Sequence, residues 1–539
     1  MSVFSLAVGS ENPVTTQVLD DICDDLGMKI ENDEKEEYQR LLAVYHDSVV
    51  SLLQLPDYVP EVDLERFPRE NVKFPKPEEN PLGAWAWQCD IVDKHKTGTQ
   101  GLLEGKTIAV KDNISVKDVP MLMGTEFIKN YIPNTDATVI TRLLQAGATI
   151  KGKSVCEHLC HSATSSSAAT GHVHNPYAKG YSSGGSSSGS GALVANGDVD
   201  MALGADQGGS VRVPAGWCGL YGLKPTFGLI PYTGCGSNEP TNDHLGPMTR
   251  SLLDNALMLQ CIAGNDDIDD RSFAAPSPDK VPKYLDNLQH LSNPSDLQGV
   301  RVGVITEAMN QPSVEPRIRA CVQAAIDGLQ SLGATVEEVS IPLHSQGAAI
   351  WTAISKYGGY LAKRNLAFGR RGHVMTDLNA HFQNISQDMW DVCYVSSKNI
   401  YLNGAYAQKN FPELLGKATN LSRKLRKDYD AALDRFDVLI TPNLPYIARS
   451  HTPYDASPLE KISKQVGLTA NTAPFNQSGH PVLAMPIGMA EIQEGPLKGS
   501  GVRLPVSMQI VGKWWHEDDV YRVAYAWSLE NDWKEKIFD

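Results

Sequence analysis

Apolar residues recur at helical spacing in two segments near the start of the chain. The apolar sets are Val14, Val18, Ile22 and Leu26 in residues 13–28, and Tyr38, Leu41, Leu42, Tyr45, Val49 and Leu52 in residues 33–53. Residues three or four apart share one face of a helix, so both segments are predicted to be amphipathic helices. Six prolines between residues 56 and 81 then exclude a single regular element. We predict an N-terminal helical region over residues 1–95 that pairs subunits, wraps the main domain or simply packs on it.

Beyond residue 100, short apolar strands alternate with helical patterns. The predicted strands are 106–111, 149–151, 301–306, 335–340 and 437–441, and the predicted helices are 138–145, 317–332 and 516–529. This alternation is typical of an α/β fold, in which a mixed β-sheet is flanked by helices on both faces. The core of the protein is predicted to comprise residues 96–344 and 431–539.

Residues 345–430 interrupt this alternation. They are helical in pattern, rich in Tyr, Asn and Trp, and without further strand signals. We predict that they form a smaller inserted helical domain over the active site. Trp351, near the start of this segment, is a candidate for the wall of a substrate pocket.

Composition excludes several classes of protein. The 539 residues carry a net charge of −15, which disfavours nucleic acid and anionic membranes as partners. No apolar run approaches the length of about 18 residues that suggests a membrane span, and the N-terminus lacks the pattern of a secretory signal. The nine cysteines are scattered without a Cys-x-x-Cys pair. These features predict a protein of the reducing cytoplasm.

Two glycine- and serine-rich runs, residues 184–190 and 204–212, carry the strongest chemical signal. Such runs are often flexible linkers, but apolar residues surround these two, and residues 192–205 between them are largely apolar. They also lack the Lys-Ser/Thr ending of a phosphate-binding loop. A serine in such a turn has backbone N–H groups beside it, so it could act as a nucleophile with an oxyanion site at hand.

A lysine stands where a serine hydrolase would often use histidine. Lys111 ends the buried strand pattern of residues 107–111, and no histidine is spaced for a serine–histidine pair. A lysine accepts a proton only as the neutral amine, which burial behind Ile108 and Val110 favours. The histidines 158, 161, 172 and 174 lack an accompanying cluster of carboxylates or cysteines, so no metal site is predicted.

Eight sequence blocks together resemble the amidase signature family of serine hydrolases. They are residues 105–113, 184–187, 206–212, 218–226, 243–250, 437–442, 475–481 and 504–512, in the family's order over roughly residues 95–530. The resemblance implies that Lys111 is the catalytic lysine and Ser186 a bridging serine with a cis peptide bond. It also implies that Ser210 is the nucleophile that forms an acyl-enzyme.

The same resemblance implies a mechanism without metal or organic cofactor. Ser210 attacks the amide carbonyl, and its proton passes through Ser186 to Lys111. The backbone N–H groups of Gln207, Gly208, Gly209 and Ser210 are expected to hold the oxyanion. The supporting residues are expected to be Ser187, Asp206 and Arg212.

The expected substrates are small amides, with carbamates or esters as further candidates. Within the family, residues 206–210 and 227–234 resemble broad-specificity amidases found beside nitrile hydratases and yeast enzymes that act on carbamate esters. Cys160 and His161 depart from the common Met-Gly pattern, so His161 is expected to narrow or polarise the acyl pocket. No arginine clamp is evident, so substrates with a free carboxylate are expected to be poor unless residues 345–430 supply such a clamp.

Three alternatives stay open within this resemblance. The chain could be a glutamine-dependent transamidase subunit, although its acidic charge and lack of basic patches disfavour a tRNA partner. A lipid amide hydrolase would need an apolar membrane-binding helix, for which we find no candidate. A non-catalytic scaffold would not need Lys111, Ser186 and Ser210, which are all present. A homodimer is the expected assembly.

Overall fold

The computed structural model describes residues 5–95, 101–128, 130–366 and 369–538. The first residues of the predicted core, 96–100, lie outside this set. The strands are β1 (Arg69–Lys73), β2 (Trp85–Ile91), β3 (Thr107–Lys111), β4 (Thr149–Ser154), β5 (His174–Asn175), β6 (Ala178–Ser182), β7 (Met201–Asp206), β8 (Tyr221–Lys224), β9 (His244–Thr249), β10 (Arg301–Ile305), β11 (Thr335–Val339), β12 (Val438–Pro442), β13 (Val482–Glu491), β14 (Arg503–Gly512) and β15 (Ile537–Phe538).

The helices lie between these strands and beside them. They are α1 (Thr16–Leu26), α2 (Lys35–Leu53), α3 (Thr138–Gln145), α4 (Ser188–Asn196), α5 (Arg212–Trp217), α6 (Leu252–Ile262), α7 (Tyr284–Gln289), α8 (Thr306–Met309), α9 (Pro316–Ser331), α10 (His344–Lys363), α11 (Thr376–Gln383), α12 (Gln387–Val392), α13 (Val395–Asn410), α14 (Leu414–Leu433), α15 (Pro458–Ser463), α16 (Ala473–Ser478) and α17 (Glu517–Glu530). None of the helices in the described ranges combines the length and apolar character that a membrane span requires.

A large mixed sheet organises the fold, as the alternating pattern predicts. In the described residues its strand order is β1-β2-β4-β3-β7-β9-β8-β13-β14-β12-β10-β11, and β15 pairs with β13. The strands β4, β3 and β7 are parallel, as are β12, β10 and β11, while antiparallel pairs join these two groups. β7, β9 and β12 are buried along their full length, because helices cover both faces of the sheet.

The N-terminal region differs from the predicted boundary at residue 95. The chain separates into two compact units, residues 1–61 and 62–539. β1 and β2 belong to the main sheet through the pairing of β2 with β4. Apolar residues at positions 85, 86, 89 and 91 are buried in this sheet, which the proline-rich composition around them obscures in the sequence. Among the described residues up to 95, the α-helices are therefore α1 and α2.

The segment predicted as an inserted domain is helical, from α10 at residue 344 to the end of α14 at residue 433. It lies inside the second compact unit rather than forming a unit of its own. α10 packs against α13, α14 and α16, so the segment shares its buried surface with the sheet-based core. This packing brings side chains of α10 and α13 to the same cavity as the glycine- and serine-rich turns.

Candidate active site

The sheet brings Lys111 and the second glycine- and serine-rich turn to one edge. β3 ends at Lys111, and its parallel neighbour β7 ends at Asp206, directly before residues 207–210. The carboxyl ends of parallel strands meet at the same edge of a sheet, so residues nearly 100 positions apart become neighbours. The first turn, residues 184–187, lies at the start of α4, and the N–H of Ser187 donates to the carbonyl of Ser210 at 3.2 Å.

Lys111 and Ser186 are in direct contact. The side-chain nitrogen Nζ lies 2.8 Å from Ser186 Oγ and 3.0 Å from the carbonyl oxygen of Ala205. Both side chains are fully buried. The peptide bond between Gly185 and Ser186 is cis. Ser187 Oγ also donates to the Ala205 carbonyl, at 3.2 Å, so this carbonyl near the end of β7 is bonded to both Lys111 and Ser187.

The two nearby aspartates pair with other cations. Asp112 lies 3.2 Å from Lys153 Nζ, and its second oxygen accepts backbone N–H groups at 2.9 Å. Asp206 pairs with Arg212 at 2.9 Å. Neither carboxylate forms an ion pair with Lys111 in the described residues. The contacts of Lys111 Nζ given above are therefore with Ser186 and Ala205 and not with either carboxylate.

Asp206 and Arg212 form a buried ion pair that shapes the second turn. Arg212 donates to Asp206 from Nε and Nη2, and its remaining donors reach Thr472 O at 2.9 Å and Gln509 Oε1 at 2.8 Å. Burial opposes ionisation of Asp206, but the Arg212 charge and its hydrogen bonds keep the pKa of Asp206 below its usual range. Asn476 Nδ2 adds a bond to Asp206 Oδ1 at 2.8 Å. Arg212 therefore supports the turn and is fully buried.

One of the four predicted oxyanion donors is already engaged. The N–H of Gly209 donates to Asp206 Oδ1 at 2.8 Å, so it points towards the carboxylate instead of an open site. Gln207, Gly208 and Ser210 have backbone N–H groups without a hydrogen-bond partner in the described structure. The prediction of four donors is thus corrected to three available ones, because the buried Asp206 carboxylate needs hydrogen-bond donors from its own turn.

A cavity of about 310 Å³ opens at these N–H groups. The half-buried Ser210 lines it, together with the predicted pocket residues Cys160, His161 and Trp351. Trp351 Nε1 donates to the carbonyl of Gln207 at 2.6 Å. Its ring packs on Gly208 so closely that a Cβ built there would lie 2.7 Å from Trp351 Cζ2. The first helix of the 344–433 segment thus packs directly on the second turn.

Several contacts of the site come from residues that sequence reasoning did not single out. Gln207 Nε2 donates to Tyr232 OH at 3.0 Å, and Asn113 Nδ2 donates to the same oxygen at 3.1 Å. Thr472 Oγ1 donates to the Gly208 carbonyl at 2.6 Å. Tyr232 and Asn476 lie inside sequence blocks that carry the family resemblance, which is the signal that could have found them. Thr472 lies outside those blocks.

Burial and hydrogen bonding change the acid–base properties of groups in the cavity wall and of Glu157 beside Ser186. Desolvation, helped by the charges of Lys363 and Lys356, lowers the pKa of His161 well below its usual value, so its imidazole is neutral. A hydrogen bond with Cys156 lowers the pKa of the Cys160 thiol. Burial raises the pKa of Glu157 to about 7; its N–H donates to the carbonyl of Ser186 at 3.1 Å.

The upstream histidines are dispersed. His158 Nδ1 lies 2.8 Å from Ser397 Oγ, while His172 stacks on His451 with ring centroids 4.3 Å apart. His174 packs edge-on against His451 at 5.2 Å. Across the described ranges, no group of three or more His, Cys, Asp or Glu side chains has the arrangement of a metal site.

Comparisons with known proteins agree on one family. A model of the amidase family matches residues 82–521. An enantioselective amidase of Rhodococcus rhodochrous is 40% identical over 458 residues, which cover 84% of this chain and 84% of that protein. A glutamyl-tRNA(Gln) amidotransferase subunit of Cyanothece sp. is 31% identical over 456 residues, covering 83% of this chain and 89% of that protein. The solved structure of the corresponding Thermotoga maritima subunit has a TM-score of 0.64 at 25% identity and covers 83% of this chain and 87% of that chain.

Proposed function

Because this chain belongs to the amidase signature family and is an amide-hydrolysing enzyme, we propose that Ser210, Ser186 and Lys111 form its catalytic triad. The observation that carries this proposal is the 2.8 Å contact between Lys111 Nζ and Ser186 Oγ, beside a cavity lined by Ser210. Lys111 forms no ion pair with a carboxylate in the described residues, and its Nζ is within hydrogen-bonding distance of Ser186 Oγ, as transfer of the Ser186 proton requires.

The proposed reaction begins at Ser210. Its Oγ attacks the amide carbonyl carbon, its proton moves to Ser186 Oγ, and the proton of Ser186 moves to Lys111 Nζ. The N–H groups of Gln207, Gly208 and Ser210 surround the developing oxyanion, and losing one such donor costs about 3 kcal/mol of transition-state stabilisation. When the C–N bond breaks, the proton returns through Ser186 to the leaving nitrogen. Water then adds to the acyl-enzyme by the same proton path and releases the acid.

The substrate range is proposed to include carboxylic acid amides and, with the same acyl-enzyme chemistry, carbamates and esters. Cys160, His161 and Trp351 are proposed to form the acyl pocket. The neutral imidazole of His161 occupies space that a glycine would leave open. His161→Gly is therefore expected to improve kcat/KM for bulky acyl groups relative to small ones, measured on a panel of amides.

Covalent labelling with a fluorophosphonate tests the triad directly. Ser210→Ala is expected to lose labelling and amide turnover, whereas Ser162→Ala, another serine of the cavity wall, is expected to keep the label. Lys111→Met and Lys111→Arg are both expected to slow turnover by orders of magnitude, since neither side chain accepts a proton. Labelling of a different serine in Ser210→Ala, or wild-type turnover in Lys111→Met, would refute the assignment.

Similarity to amidotransferase subunits supports a second candidate function, that of a transamidase subunit. A transamidase subunit would release ammonia from glutamine for a partner protein, whereas an amidase acts alone on simple amides. Turnover of aliphatic and aromatic amides by the purified chain, with glutamine as the comparison substrate, separates the two. Preference for glutamine, together with co-elution with a partner in gel filtration, would favour the transamidase.

A further inference from the structure

Helix α10 places a lysine without a counter-ion in the wall of the catalytic cavity. Lys356 lines the cavity with Thr352 and Ser355, which lie on the same side of the helix. Burial lowers the pKa of Lys356 to about 8, with no anion to offset it. In the described parts of the chain, no carboxylate is within ion-pairing distance of its ammonium. A poorly solvated ammonium is stabilised by any anion that enters the cavity.

The neighbouring helix adds a second donor. Ser396 lies in the first turn of α13, is only 4% exposed and lines the same cavity. Its Oγ has no hydrogen-bond partner in the described structure. Free backbone N–H groups make the N-terminus of a helix partly positive, so this hydroxyl stands in a region that favours negative charge. Asn399, one turn further along α13, also faces the cavity.

Other unpaired polar atoms of the cavity are mainly donors. The amide nitrogens of Asn242 and Gln465 are donors that lack partners in the described structure. Nε2 of the neutral His161 also lacks a partner and can donate or accept, and Gln207 Oε1 is an acceptor without a partner. Buried polar groups are normally satisfied, and several unsatisfied groups around one cavity indicate a ligand that completes them. The excess of donors over acceptors favours a ligand group that only accepts hydrogen bonds, as a carboxylate does.

The acid in this wall does not neutralise Lys356. Glu239 Oε2 accepts the N–H of Thr241 at 3.1 Å and its hydroxyl at 2.5 Å. The Glu239 side chain packs at Gly358, where a Cβ would lie 2.8 Å from its Cγ. Positions 356 and 358 do not share a face of the helix. Burial also raises the pKa of Glu239 to about 7, so part of its population is uncharged near neutral pH.

We propose that the preferred substrates are amides whose acyl part ends in a carboxylate, bound by Lys356 together with Ser396. This specificity rests on the proposed function, because it needs an acyl group attached to Ser210. We assign it to the acyl part because Lys356 and Ser396 line the same cavity as His161, a residue of the proposed acyl pocket. The sequence shows no arginine clamp for a substrate carboxylate. Lys356, in the 344–433 segment, supplies a cation in its place.

Matched substrates that differ only in charge test this specificity. The monoamides of succinic, glutaric and adipic acid carry a terminal carboxylate, and the corresponding diamides replace it with a neutral group of the same shape. The wild-type enzyme is expected to have a higher kcat/KM for the monoamide at the chain length that reaches Lys356. In Lys356→Met, the ratio of monoamide to diamide kcat/KM is expected to fall about tenfold or more, mainly through KM.

Two further variants and a binding measurement complete the experiment. Lys356→Arg keeps the charge and is expected to retain most of the preference, while Ser396→Ala is expected to reduce it. Lys417→Met, which removes an exposed lysine of α14, is the control and is expected to keep the wild-type ratio. Calorimetric titration with glutarate measures carboxylate binding without turnover, and Lys356→Met is expected to weaken it by a similar factor.

The experiment distinguishes a wrong assignment of the carboxylate specificity from a wrong assignment of the triad. Equal monoamide-to-diamide ratios in wild type and Lys356→Met, with glutarate affinity unchanged, overturn the role of Lys356 even if both amides are hydrolysed. Absence of hydrolysis and of Ser210 labelling overturns the proposed function instead. Glutarate binding that depends on Lys356 supports the anion site on its own.

Discussion

The pair of Asp206 and Arg212 shows how one buried charge organises the second turn. Both side chains are fully buried, and the carboxylate is satisfied by Arg212, Asn476 and the N–H of Gly209. Arg212→Met removes the cation and leaves an uncompensated buried carboxylate. We expect a loss of about 3–5 kcal/mol in the free energy of unfolding, measured by urea denaturation.

A surface pair provides the control. Arg301 and Asp437 are 2.8 Å apart, but their side chains are 48% and 32% exposed. Arg301→Met is expected to cost much less stability than Arg212→Met, because water screens such pairs. Equal losses in the two variants would show that burial does not determine the contribution of Arg212.

The raised pKa of Glu157 predicts that the stability of the protein depends on pH. The pKa of Glu157 in the native protein is about 7, above the ordinary value of 4.5, because burial disfavours the carboxylate. Between these values the native protein retains a proton that the unfolded chain releases, so stability falls as pH rises towards 7. Glutamine does not ionise. Glu157→Gln is therefore expected to gain about 1–3 kcal/mol relative to wild type on going from about pH 5 to about pH 8, measured by urea unfolding.

The exposed Glu338 on β11 offers a matched comparison, since Glu338→Gln makes the same change away from the site. Its stability relative to wild type is expected to be the same at both pH values. A Glu157→Gln profile that runs parallel to the wild-type profile would contradict the role given to the buried carboxyl group.

The turn between β7 and α5 depends on glycine for both conformation and space. Gly209 has φ +131°, and a Cβ there would lie 2.5 Å from Thr472 Oγ1. Thr472 cannot easily move away, because its hydroxyl donates to the Gly208 carbonyl. Gly209→Ala is expected to displace the turn and slow fluorophosphonate labelling of Ser210 by about tenfold or more, since misplaced catalytic groups lose rate steeply.

A substitution of Gly197, at the end of α4, is the control, because it introduces backbone strain without displacing the turn. Gly197 has φ +87°, but a Cβ there would meet nothing within 4 Å. Gly197→Ala is expected to cost about 1 kcal/mol in stability and to leave the labelling rate unaltered. If both glycine variants slowed labelling equally, the close packing of Gly209 against Thr472 would not be the cause.

The division of the chain into two compact units suggests separate tasks. The residues that line the catalytic cavity all lie between positions 160 and 469, within the unit of residues 62–539. The helices α1 and α2 carry exposed apolar residues, among them Leu26, Tyr45 and Leu53. We predict that these helices pair two copies of the chain, so that the full chain is a dimer and residues 62–539 are a monomer that still labels at Ser210.

Light scattering of the full chain and of residues 62–539 checks this prediction, and fluorophosphonate labelling of Ser210 shows whether the site is intact. A variant of the full chain with Tyr45→Glu and Leu53→Glu serves as the control for truncation, because it keeps the full length but places charge on the apolar face. If the full chain and the truncated form contained the same number of chains per particle, a pairing role for α1 and α2 would be contradicted.

The parts of the protein that the sequence alone determined are those set by local pattern. Helical periodicity predicts α1, α2, α9 and α17, and apolar runs predict β3, β4, β10 and β12, because these depend on residues a few positions apart. The glycine- and serine-rich turns and the lysine at the end of β3 indicate a serine nucleophile and a nearby amine, and the family resemblance implies the roles of Lys111, Ser186 and Ser210. The boundary at residue 95 was wrong, because prolines mask β1 and β2, which join the main sheet through the pairing of β2 with β4.

Which distant groups meet depends on the packing of the whole fold. Asp206 accepts a hydrogen bond from the Gly209 N–H, so three of the four expected oxyanion donors stay free. This bond follows from the way the turn folds around Arg212. Arg212 in turn is held by Thr472 and Gln509, more than 250 residues away in sequence. The positions of Lys356 and Ser396 in the cavity follow from the packing of α10 on α13. Such contacts depend on how whole helices and strands lie in space, which no local pattern encodes.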